Sequence, residues 1–147
     1  MSPLGPSDFG GAPPPSPAAR SDADELPAAR PAPPRIACVY IAGPYTARDA
    51  LGVELNVRRA EHMAYRVARR GAMPVCPHTN LRYMAADLAT FLYPATLEMM
   101  RRCDAVLFTA DWQRSAGARG EHAEAVRRGM PVFYTLESLS VWLGGRR

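Results

Sequence analysis

Four short, almost wholly apolar runs, separated by longer stretches of helical periodicity, constrain this chain more than any other feature. They are Ile36 to Ala42 (IACVYIA), Ala72 to Cys76, Ala105 to Thr109 (AVLFT) and Pro131 to Thr135. The first, rich in β-branched and aromatic residues and bounded by Pro34 and Gly43-Pro44, reads as a strand buried on both faces; the other three read as short strands, Ala105 to Thr109 buried as well. Residues from Gly52 to Arg70 read as a helix: Val57, Ala60, Ala64, Val67 and Ala68 recur at helical spacing, and Gly71 supplies the stop. Pro77 to Arg82 reads as a loop. A weak helix is expected between Met84 and Leu92, and a second opens on Pro94 as its first residue and runs to Arg102. Ala110 to Gly117 reads as a polar loop. A helix follows from Ala118 to Arg128, stopped by Gly129, and a last short one covers Glu137 to Leu143.

Strands alternating with helices imply a parallel sheet with right-handed crossovers. The expected fold is α/β: a flavodoxin-like (Rossmann-like) doubly wound sheet of four to five strands in the order 2-1-3-4. Ligands of such sheets bind beyond the carboxyl ends of the strands, at the switch between the first and third. Two segments fall there: Gly43-Pro44-Tyr45-Thr46 after strand one, and Asp111 to Glu121 after strand three.

The first 34 residues form a separate region. They hold ten of the chain's 15 prolines and few large apolar residues. Proline lacks the amide hydrogen that helices and sheets need, and little burial is available to offset ordering. Residues 1–34 are expected to be a disordered tail and 35–147 the folded domain. No apolar run reaches the roughly 18 residues of a spanning helix, and no basic-then-apolar signal opens the chain. These features imply a cytoplasmic protein with no membrane partner. The net charge is +4, carried entirely by arginine. The arginines fall in scattered pairs near helix ends rather than in a basic run with interleaved aromatics, which argues against polymeric nucleic acid as a partner. Cys38, Cys76 and Cys103 form no CxxC pair and lie in or beside apolar stretches, as buried free thiols do. His62, His78 and His122 show no ligand spacing, so no metal and no cofactor are expected.

The segment Ser115-Ala116-Gly117-Ala118-Arg119-Gly120-Glu121 runs from a strand end into a helix. Its small residues let backbone approach a ligand, and amides at a helix start bind anions. A phosphate or a sugar oxygen fits there, with the Ser115 hydroxyl in reach. Glu121, in the first turns of that helix, has two readings: helix stabilisation by the dipole, or a functional carboxylate. Tyr40, mid-strand in a buried run, needs a partner for its hydroxyl. Either a backbone carbonyl or Glu121 can serve, the latter if strand one adjoins that helix. His78, in the loop after strand two, reads as a ligand contact or as a plain surface histidine. Trp112 reads as a surface for stacking a base or as packing over the sheet edge. Asp104 precedes strand three, at the far end from the site, and reads as structural. The Met99-Met100 pair reads as core or subunit contact.

Taken in order, these segments resemble a known family. Val39-Tyr40-Ile41-Ala42-Gly43-Pro44-Tyr45, then Asn56 with Ala60 and Ala64, Gly71 to Pro77, Cys103-Asp104-Ala105-Val106, and Ser115-x-Gly117-Ala118-x-x-Glu121-x-x-x-Ala125 are similar to the nucleoside 2-deoxyribosyltransferase superfamily. The resemblance is greatest to its DUF4406 branch and more distant to the 2′-deoxynucleoside 5′-phosphate N-hydrolases. It implies cleavage or transfer at the N-glycosidic bond of a nucleoside or nucleoside 5′-monophosphate, in a homodimer or larger homo-oligomer whose sites share residues between subunits. It implies Glu121 as nucleophile at C1′, Tyr40 as the residue orienting it, Ser115 as a 5′-phosphate contact and Gly43-Pro44 facing sugar or base. Tyr45, Gly117, His78, Asp111 and Trp112 complete the expected binding set. Such chemistry needs an ionised carboxylate to stabilise oxocarbenium character, and an acid or donor on the leaving base. In one position the chain departs from the pattern: Thr96 stands where relatives carry the aspartate that handles the base. Glu98, Asp87 and Asp111 are the candidate substitutes. That departure keeps two alternatives open, a non-catalytic nucleotide-binding module of the same fold and a structural or partner-binding protein.

Overall fold

The computed structural model of the protein describes residues 35–82, 84 and 88–146. The expected N-terminal tail lies outside the described residues. Four parallel strands form one sheet: β1 (Cys38–Ala42), β2 (Met73–Val75), β3 (Ala105–Phe108) and β4 (Val132–Phe133). Their order is β2-β1-β3-β4, as expected. Val39, Tyr40, Ile41 and Ala42 are completely buried, and so are Ala105 to Leu107, because helices cover both faces of the sheet.

Side chains alternate across a strand, so each strand feeds two cores. Val39, Ile41, Ala105 and Leu107 pack against Ala60 and Val67 of α1 (Ala50–Ala68) and Leu136, Leu139 and Leu143 of α5 (Leu136–Gly144). Tyr40, Ala42, Val106 and Phe108 turn the other way. They meet Leu97 and Met100 of α3 (Ala89–Arg101) and Ala125 of α4 (Ala116–Arg127). Crossovers of one hand that run in opposite directions along a sheet deliver helices to opposite faces. That winding is what turns Tyr40 toward α4.

Local chemistry sets most helix ends. Asp49 caps α1 by accepting from the Gly52 amide at 2.7 Å, and Thr135 caps α5 through the Ser138 amide at 3.2 Å. Gly71 and Gly129 follow α1 and α4 with φ of 81° and 66°, the left-handed geometry of a helix stop.

Two expectations change. Pro77 to Asn80 forms a short helix, α2, rather than a loop, with Pro77 in its first turn. Where the expected pair of helices is described, a single helix, α3, runs through, and Pro94 lies inside it rather than at its start; residues 85–87 of the first expected helix lie outside the described residues. Proline there forfeits one bond, to the carbonyl four residues back at Thr90. Thr90 is exposed, so water can serve that carbonyl. Burial of Leu97 and Met100 on the sheet holds the rest of the helix in place.

Candidate active site

The loops that follow β1, β2 and β3 meet at the carboxyl ends of the strands and enclose a cavity of about 490 Å³. Gly43, Tyr45 and Thr46 contribute from the turn after β1, and Pro77, His78, Leu81 and Met84 from α2 and beyond. Leu92, Tyr93 and Thr96 line it from α3, and Ser115, Gly117, Ala118 and Glu121 from the start of α4. Asn56 on α1 holds the first wall by donating to the Tyr45 and Thr46 carbonyls at 3.2 and 3.3 Å. Gly43 is there for space: a β-carbon on it would collide with the buried Thr109 side chain.

Glu121 is only 7% exposed, yet it lines the cavity. Tyr40 lies behind it, fully buried, and its hydroxyl donates to Glu121 Oε1 at 2.6 Å. The bond spans 81 positions of sequence and joins β1 to α4. Burial pushes the Glu121 carboxyl up to about 7, and the Tyr40 hydrogen bond pulls partly back by favouring the charged form. Burial and the Glu121 charge raise Tyr40, which therefore stays a protonated donor. The helix dipole does not keep Glu121 acidic. Because α4 starts at Ala116, Glu121 stands in its second turn, beyond the reach of the dipole, and desolvation dominates.

His78 is also buried, at 5% exposure. Its Nε2 lies 3.0 Å from the Pro44 carbonyl oxygen. A carbonyl only accepts, so Nε2 carries the hydrogen and Nδ1 is a bare acceptor. Nδ1 has no hydrogen-bond partner among the described residues. Burial lowers the histidine pKa and keeps the ring neutral. Ser115 caps α4, its Oγ accepting from the Ala118 amide at 3.2 Å. The hydroxyl hydrogen stays available to the cavity. The model of the domain of unknown function DUF7768 matches residues 37–135, which span every element of this site. The chain belongs to the DUF7768 family.

The matched family is thus DUF7768, where the sequence resemblance pointed to DUF4406. No curated protein matches the chain. Among solved structures, the DUF7768 domain is similar to a 2-deoxyribosyltransferase from the psychrotolerant bacterium Bacillus psychrosaccharolyticus. Identity is 22%, over 65% of this chain and 69% of that one, with a TM-score of 0.48.

Of the expected site residues in this DUF7768 protein, Gly43, Tyr45, His78, Ser115, Gly117 and Glu121 line the cavity. Pro44 does not; it contributes its carbonyl to His78. Asp111 and Trp112 are corrections. Asp111 is exposed in a left-handed turn with φ of 63°, away from the cavity. The Trp112 ring packs 4.4 Å from His122 and 4.9 Å from Phe108, so packing rather than ligand stacking occupies it. Among the candidate acids, Glu98 is bound by Arg101 and Arg102 outside the cavity, and Asp87 lies outside the described residues. Among the described residues of this group, Thr96 alone reaches the cavity wall. Asp104 is structural, accepting from the Cys38 amide at 2.8 Å and pairing with Arg35 at 3.2 Å.

Tyr93 was not anticipated. It enters the site because α3 packs on α4, a contact fixed by the Arg101–Glu124 ion pair at 2.8 Å. The available signal was Gly120 inside a helix. Glycine there is unfavourable unless something approaches closely, and a β-carbon on Gly120 would collide with the Tyr93 hydroxyl. Among the described residues, no helix is long and apolar enough to cross a membrane.

Proposed function

We propose that this DUF7768 protein breaks the N-glycosidic bond of a nucleoside or nucleoside 5′-monophosphate, with Glu121 attacking C1′. The observation that carries the reading is a buried carboxylate on the wall of a ligand-sized cavity, held at one oxygen by the Tyr40 hydroxyl at 2.6 Å. With Oε1 held, Oε2 is the oxygen left to react. The pair also matches the family roles that the sequence resemblance assigns to Tyr40 and Glu121.

In this reading the sugar lies over Glu121, between the turn after β1 and the start of α4. Gly43 and Gly117 let backbone come close to it, and the Ser115 hydroxyl contacts the 5′ end. The base lies between Tyr45 on one side and the α3 wall with Tyr93 on the other. Attack forms a glycosyl ester at Glu121 as the C1′–N bond breaks. Water then gives free sugar, and a second base gives transfer. The apolar walls from Leu81, Met84 and Leu92 exclude bulk water and strengthen the carboxylate's interaction with developing positive charge.

The test is chromatographic detection of free base from a panel of ribo- and 2′-deoxyribonucleosides and their 5′-monophosphates. Wild type should release base, with activity rising as pH passes through about 7, where Glu121 ionises. Glu121→Ala and Glu121→Gln should each lower the rate at least about a hundredfold. Base release that survives both substitutions removes Glu121 from this role.

A further inference from the structure

Breaking a bond to a nucleobase leaves negative charge on the base nitrogen, and a donor there lowers the barrier. The position that carries an aspartate in the resembled family is Thr96 here, and its hydroxyl is committed to the Tyr93 carbonyl at 2.9 Å. His78 has given its Nε2 hydrogen to Pro44, so its free nitrogen only accepts. Glu98 is turned to Arg101 and Arg102. The phenols of Tyr45 and Tyr93 are what remain with an acidic hydrogen on the described cavity wall, beside the aliphatic hydroxyls of Thr46 and Ser115.

The shape of α4 separates the two phenols. A β-carbon on Gly120 would strike the Tyr93 hydroxyl, and one on Gly117 would sit 3.9 Å from Tyr93 Cε2. The tyrosine ring therefore lies along the glycine face of α4, with its oxygen at the residue next to Glu121. That oxygen has no hydrogen-bond partner among the described residues. Glycine inside a helix is unfavourable relative to alanine, and at Gly120 the space it leaves is filled by this hydroxyl. Tyr45 instead packs on His78, with ring centroids 5.9 Å apart.

We infer that Tyr93 is the catalytic acid of this site, donating its phenolic proton to the departing base; the inference rests on the proposed glycosidic chemistry. As the C1′–N bond breaks, its electron pair goes to the base nitrogen, which takes the Tyr93 proton. A Glu121 oxygen bonds to C1′ at the same centre. Water then adds to C1′, its proton returns to the tyrosinate, and the ester bond breaks to restore the Glu121 carboxylate. Partial burial, and then proximity to Glu121 and Glu124, raises the phenol's pKa, so it is protonated when the cycle begins.

The experiment compares substrates that need a leaving-group proton with substrates that do not. Guanosine and 2′-deoxyguanosine are set against their 7-methyl derivatives, whose base leaves as a neutral species. The panel's other active nucleosides are set against 4-nitrophenyl β-ribofuranoside and its 2-deoxy counterpart. Tyr93→Phe should lose about a hundredfold or more in kcat on the ordinary nucleosides and about threefold or less on the 7-methyl and nitrophenyl substrates. Tyr45→Phe should stay within about threefold of wild type in the ratio between the two classes. Thermal melting of Tyr93→Phe checks folding. The inference fails if Tyr93→Phe keeps the wild-type rate on ordinary nucleosides, or loses equally on both classes. If wild type releases no base at all, or Glu121→Gln leaves every rate unchanged, the glycosidic reading itself fails and takes this inference with it.

Discussion

A single carboxyl shows how burial and function pull against each other. Glu121 titrates near 7 in the folded protein and near 4.5 when exposed. A raised carboxyl pKa means that folding favours the proton. Its contribution to stability is full below about pH 4.5, fades as pH rises, and is gone above about 7, at a cost of about 3 kcal/mol. Glu121→Gln keeps an acceptor for Tyr40 and cannot ionise. Urea unfolding should therefore find Glu121→Gln more stable than wild type at pH 8, by up to about 3 kcal/mol, and indistinguishable from it at pH 4. Equal stability at both pH values would mean that the carboxyl is not held in a dry environment. Sequence alone could raise Tyr40 as a buried phenol seeking a partner, because strand burial is local information. It could not choose between Glu121 and a backbone carbonyl. That choice depends on which face of β1 meets α4.

At the level of elements, α4 carries the site and α3 defines its outer wall. Gly120 is a helix-interior glycine whose replacement by alanine should add up to about 1 kcal/mol of helix propensity. The atom in the way is the far end of the Tyr93 side chain, which can swing outward. Gly120→Ala should thus melt at the wild-type temperature or slightly above, while base release falls as far as it does in Tyr93→Phe. Loss of stability without loss of activity would show that the glycine serves packing alone. The strands and the α1, α4 and α5 helices were readable because their periodicity and end signals agree. The α3 helix was not, since Pro94 is a strong local breaker and the force that overrides it, burial of Leu97 and Met100 on the sheet, is tertiary. Tyr93 was hidden for the same reason, because its neighbours come from another helix. Trp112 misled because a loop indole beside the switch point looks identical in sequence whether its ring meets a ligand or His122 and Phe108.

Across the whole molecule, the parallel sheet divides the labour between its two poles. The carboxyl ends of the strands hold the cavity. At the opposite pole, Asp104 ties the start of β1 to the turn before β3 through the Cys38 amide, with Arg35 alongside. Removing that acceptor strands a partly buried amide, which costs about 1–3 kcal/mol. Asp104→Ala should lower the melting temperature, yet leave the rate per folded molecule and its pH midpoint unchanged. A shift in that midpoint would mean the poles are coupled. The order of the strands and the location of the cleft followed from alternation read as a flavodoxin-like winding. The cavity's shape depends on pairs that no pattern links, and Gly43 with Thr109 is one. While threonine fills that space, position 43 can carry nothing larger than hydrogen, so this point of the wall is bare peptide and offers evolution no handle. New ligand preferences are more readily written on the facing side, where Leu81, Met84 and Leu92 can be exchanged singly.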